Sequence, residues 1–137
     1  MKDLALKAMT ELSDMGCRIW YGKGRTHASI VIVYDGIQAS TQLLNIYPWK
    51  KAVYAEIYFQ YFKAPFNTIE EKRILKERLD DILGITIPDH KLHGRPNFPF
   101  AKLLDPLAYR RFLETIQHII DGIKALEREH TPNRESI

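Results

Sequence analysis

The densest group of residues able to do polar chemistry lies early in the chain. Lys23, Arg25, His27 and Ser29 fall in and just after the run Tyr21-Gly22-Lys23-Gly24-Arg25. Glycine lets backbone amides approach an anion closely and the cations add charge, so such a segment suits a phosphate. A nucleotide phosphate loop, however, runs from strand into helix and ends in Gly-Lys-Ser/Thr. Here the flanks on both sides are β-forming, so the favoured reading is a flexible β-turn with solvated basic residues, and the group ranks first only among candidate ligand contacts. Further cations stand at Lys50, Lys51 and Arg95. Tyr54, Tyr58 and Phe62 recur at a spacing of four, with Glu56 and Gln60 between them, which places all five on one face of a strand. Aromatic rings on an open sheet stack on nucleic-acid bases, or else bury themselves against a helix or a second subunit. The candidate ligand contacts are therefore Lys23, Arg25, His27, Ser29, Lys50, Lys51, Tyr54, Tyr58 and Arg95.

Catalytic constellations are weaker. His90 and His93 beside Asp89 begin a metal site, but three or four converging ligands are needed and no second cluster accompanies them. Asp35 and Glu56 resemble the paired acids of a metal-dependent nuclease, except that Tyr58 stands where the lysine two residues on should be. The Asp35-Gly36 turn explains that acid without any metal. No Gly-x-Ser-x-Gly elbow or dinucleotide fingerprint occurs. The sequence thus names no catalytic residue, metal ligand or cofactor; a small metal-dependent hydrolase built on these histidines or acids is the least favoured alternative.

The charge balance permits a polyanion partner without requiring one. Twenty basic against 17 acidic residues leave +3, and the basic residues are spread rather than clustered. A single cysteine, Cys17, cannot form an internal disulfide, which points to a reducing, cytoplasmic setting. No apolar run approaches the roughly 18 residues that span a bilayer, so no membrane association is expected. The N-terminal Met-Lys-Asp lacks the apolar core of a signal peptide.

These residues must be positioned by an α+β domain covering residues 1–130, with 131–137 as a polar, flexible tail. Leu4, Ala8, Leu12 and Met15 form one helical face over 2–15, closed by Gly16. Four strands follow: 18–21, 29–34 closed by Asp35-Gly36, 39–47 ended by Pro48, and 53–62, whose alternation is the clearest. Short links between them predict a four-stranded antiparallel meander. Thr68 and Glu71 have capping-box spacing before a helix that Gly84 ends. Pro88, Pro96 and Pro99 mark 85–104 as an irregular connection. Asp105-Pro106 then opens a long C-terminal helix reaching about Glu129. The N-terminal, middle and C-terminal helices are expected to pack on the sheet.

Three segments together carry a resemblance. Ile19-Trp20-Tyr21-Gly22-Lys23-Gly24 followed by Ser29 is similar to a W-G-x-G…S segment. Glu56 to Lys63 with Pro65-Phe66 resembles E-I-Q-F-Q-Y-L-K…P-F, and Ile85 to Pro88 with Arg95-Pro96 and Pro99 resembles V-N-L-P…R-P-S-I-P-L. The combination resembles an uncharacterised bacterial α+β domain found alone or at the C-terminus of nuclease-associated proteins. It departs from that pattern at Tyr21 and at Asn97-Phe98. The resemblance implies a DNA-processing or defence context and brings no catalytic residue. The expected function is a non-catalytic binding or accessory module that touches nucleic acid; the alternative is a protein-interaction or homodimerisation module.

Overall fold

A computed structural model describes residues 1–23 and 28–129. Its elements are α1 (Lys2–Asp14), β1 (Cys17–Lys23), β2 (Ala28–Asp35), β3 (Ser40–Trp49), β4 (Ala52–Ile57), α2 (Ile69–Leu83), β5 (Asn97–Pro99) and α3 (Pro106–Glu129). The α+β class and the three helices are as the sequence implies. The sheet has five strands rather than four, in the order β1-β2-β3-β4-β5, every neighbouring pair antiparallel.

The helix ends follow local chemistry. Gly16 adopts φ +98° behind α1 and Gly84 adopts φ +63° behind α2, conformations that cost a side chain but not glycine. Thr68 Oγ1 accepts from the Glu71 amide at 3.2 Å, and Asp105 Oδ2 accepts from the Ala108 amide at 3.0 Å. Each bond satisfies one of the four amides a helix start leaves free.

Two strand boundaries differ from the sequence reading. β4 ends at Ile57, not Phe62, because Tyr58 (φ −86°, ψ 54°) turns the chain into a 3₁₀ helix over Phe59–Tyr61. With three residues per turn, Phe59 and Phe62 share one side, and both are buried in the helix-side core with their rings edge to face. Phe62 therefore does not join Tyr54 on an open face. β3 instead continues through Pro48 to Trp49. Trp49 and Ala52 close a two-residue turn as a hydrogen-bonded pair, so the neighbouring Pro48–Val53 pair asks no amide of Pro48.

The 85–104 connection is also more regular than its prolines suggest. Asp80 Oδ1 accepts from the Ile87 amide at 2.8 Å, a 3₁₀ helix covers Asp89–His93, and β5 adds to the β4 edge. Prolines are tolerated in β5 because it is an edge strand.

One apolar core joins all these elements beneath the sheet. Ile32, Leu44, Ile46, Ala55, Ile57 and Phe98 face Leu12 of α1, Leu75 and Leu79 of α2, and Phe112, Ile116 and Ile120 of α3. The register of β3 against β2 slips by one residue at Leu43, where Ile32 pairs Leu44 but Val33 pairs Gln42. Such a bulge reverses which side chains point inward. It buries Leu44 and Ile46 and turns Asn45, Tyr47 and Trp49 onto the opposite face. Among the described residues no helix is long and apolar enough to cross a membrane.

Candidate functional site

The face of the sheet turned away from the helices carries the candidate site. Following the cross-strand pairs, it presents Arg18 and Trp20 of β1, Ser29, Val31 and Val33 of β2, Gln42, Asn45, Tyr47 and Trp49 of β3, Tyr54 and Glu56 of β4, and Asn97 of β5. Val31 and Val33 form a small buried cluster with Tyr58, whose ring lies over them from just beyond the end of β4. Trp20 and Trp49 remain open to solvent at 51% and 48%.

The antiparallel register brings Lys23 and the β3–β4 turn to one end of the sheet. Lys23 pairs Ala28, and β3 ends at Trp49 with two residues between it and the start of β4 at Ala52. The Ile30–Ile46 pair sets both connections at the same end of the sheet. Lys50 and Lys51 form the β3–β4 turn and are exposed. Lys50 holds φ +57°, a region that favours glycine, at the first central position of a two-residue turn.

Beside that turn lies an open concavity of about 540 Å³ lined by Tyr47, Trp49, Tyr54, Glu56 and Asn97. The Tyr47 and Tyr54 rings stack with centroids 6.1 Å apart and planes 28° from parallel. Asn97 Nδ2 donates to the Tyr47 hydroxyl at 3.1 Å. Partial burial, the largest influence, raises the Tyr47 pKa, so its hydroxyl stays protonated at neutral pH. Asn45 Nδ2 donates to Glu56 Oε1 at 3.2 Å, while Asn45 Oδ1 is buried with no partner. A second, smaller hollow on the same face lies between Arg18, Trp20, Val33, Ser40 and Gln42. There Asp35 takes two hydrogen bonds from Arg18, at 2.6 and 3.0 Å, and one from Ser40.

The candidates named from sequence divide as follows. Lys23, Lys50 and Lys51 come to one end of the sheet, with Tyr54 in the adjoining concavity and Ser29 half-buried on the same face. Arg25 and His27 lie outside the described residues. Tyr58 is only 6% exposed and cannot stack on a base; its ring meets Tyr61 edge-on, and the Arg95 guanidinium lies 5.9 Å above it. Tyr58 and Arg95 thus sit past the opposite end of β4 from the lysines. His90 and His93 are exposed in their 3₁₀ helix, and among the described residues no three His, Cys, Asp or Glu side chains come together. Asp35 and Glu56 oppose Ser40 and Asn45, five positions apart along β3.

Sequence reasoning missed the concavity itself. Trp49, Asn45 and Asn97 became site residues through the Leu43 bulge and the β5 pairing, neither of which leaves a local signal. No family model, no curated protein and no solved structure matches this chain.

Proposed function

We propose that the protein is a non-catalytic binding module that takes single-stranded nucleic acid along the open face of its sheet. The observation that carries this reading is the placement of Trp20, Tyr47, Trp49 and Tyr54 on one uncovered face beside the end where Lys23 and the Lys50-Lys51 turn lie. Base–aromatic stacking contributes about 1–3 kcal/mol per base and tolerates any sequence. Lysines at the sheet end supply the counter-charge for the backbone. Duplexes hide their bases, so single strands are the better ligand. A cytoplasmic, bacterial DNA-processing or defence setting, implied by the segment resemblance, belongs to the same proposal.

Fluorescence anisotropy with labelled single- and double-stranded oligonucleotides at 50 and 200 mM salt tests it, with light scattering for mass. Micromolar binding to single strands is expected, weakening on the order of tenfold across that salt range if about three phosphates are contacted. Lys50→Ala/Lys51→Ala weakens it further. No binding at 50 mM salt from a protein that scatters as a stable dimer would move the aromatic face to the second reading, homodimerisation. That reading is supported by the same two exposed tryptophans.

A further inference from the structure

The polar end of the concavity is short of hydrogen-bond donors. Glu56 receives one bond, from Asn45 Nδ2, and among the described residues has no ion-pair partner. Asn45 is 7% exposed, and its Oδ1 accepts nothing. A buried amide oxygen left without a donor is unfavourable for folding alone. Here it spends its donor holding the Glu56 carboxyl group at the edge of the aromatic walls formed by Tyr47, Trp49 and Tyr54. A molecule completing this arrangement must bring a flat ring and N–H groups on one edge.

A phosphate is excluded beside Glu56 by like charge, so the strand's backbone must pass over the lysine turn and its base must face the acid. Among the bases, guanine alone carries two adjacent donors, N1–H and the N2 amino group, matching the two oxygens of one carboxylate. Cytosine and adenine offer one amino group each. Uracil and thymine offer N3–H between two carbonyl oxygens that a carboxylate repels.

We propose that the concavity of Tyr47, Trp49, Tyr54, Glu56 and Asn97 is a base-reading subsite selective for guanine, with Glu56 accepting from its donor edge and Asn45 positioning Glu56. This rests on the single-strand reading above. A cationic side chain of a protein partner would also satisfy Glu56, but Lys50 and Lys51 beside Trp49 disfavour it.

Three labelled octamers test the assignment on the unaltered protein: all-uridine, the same with one central guanosine, and the same with inosine there, which keeps N1–H but lacks the amino group. Guanosine should bind on the order of tenfold tighter than uridine, the scale of one bidentate base contact, with inosine between. Glu56→Gln should remove the discrimination between guanosine and uridine, and Asn45→Leu should reduce it. Equal affinity for all three octamers overturns the subsite and leaves the single-strand reading standing. No binding of any octamer overturns both, and a tryptophan emission change with an arginine-rich peptide alone would assign the concavity to a protein partner.

Discussion

Replacing Lys50 by glycine should make the protein more stable and a poorer binder at once. The residue occupies φ +57° at the first central position of the β3–β4 turn. For an L residue that region costs roughly 1–2 kcal/mol. Glycine removes the strain but loses about 0.5–1 kcal/mol through its freer unfolded chain. The net gain is about 0.5–1 kcal/mol. For 137 residues, with an unfolding entropy of about 2.1 cal/mol/K per residue, this raises Tm by about 2–4 °C. Lys50→Ala keeps the strained backbone and removes only the charge, so its Tm should stay close to that of the unaltered protein. Both variants remove one cation from the end of the aromatic face, so both should flatten the plot of log affinity against log salt by about 0.7. Thermal unfolding and salt-dependent anisotropy read the two effects separately. A lower Tm for the glycine variant would refute the backbone argument. An unchanged salt slope in both variants would show that Lys50 touches no phosphate, and that its strain serves something else.

Gly122 reverses the usual helix rule. Alanine for glycine inside a helix ordinarily gains about 1 kcal/mol, but a Cβ here would stand 2.6 Å from Phe66 Cζ and 2.7 Å from its Cε2. Phe66 is buried with the His118 ring against it, so overpacking of about 1–3 kcal/mol should win and urea midpoints should fall; a rise would contradict this packing. The Arg18 hydrogen bonds, with Ser40 behind them, hold the Asp35 carboxyl group down to about 2. Its contribution to stability is complete above the ordinary carboxyl range near pH 4 and disappears as pH falls towards 2. The Tm gap between the unaltered protein and Asp35→Asn should therefore close over that window, from a small starting value because both side chains are about half exposed. Burial, and secondarily the Asp35 charge, pushes the Cys17 thiol up to about 11. Maleimide at pH 8 should leave the native protein unmodified by mass and label it fully in denaturant; rapid native labelling would place Cys17 outside the core.

Helix ends were legible because their causes are local: Thr68, Gly84 and Asp105-Pro106 each act within four residues. The sheet was legible only where alternation and turn signals agreed. Residues 58–62 satisfy a period of two and a period of three together, and the two buried phenylalanines settle the choice in favour of the 3₁₀ turn. β5 is three residues that follow Pro96 and end in Pro99, and its partner β4 lies about forty positions earlier, so nothing in its own sequence announces a strand. The site suffers most from this. With the β2–β3 register unbroken, Asn45 would point into the core and Leu44 outward; the Leu43 bulge exchanges them. Glu56 was visible as an acid on a strand, but its neighbours Asn45 and Asn97 belong to β3 and β5 and meet it only through pairing. Lys23, Lys50 and Lys51 were found from composition, and the register supplied their shared end of the sheet.

The two tryptophans of the chain both stand on the proposed binding face, so their emission reports on that face alone. The most direct measurement is tryptophan fluorescence during titration with a guanosine-containing single strand, recorded beside anisotropy of the same labelled strand. Emission should be quenched in step with the anisotropy rise, and Trp49→Phe should lose part of the quenching. Saturating anisotropy with unchanged tryptophan emission would place the nucleic acid on another surface and contradict a sheet-face binding site.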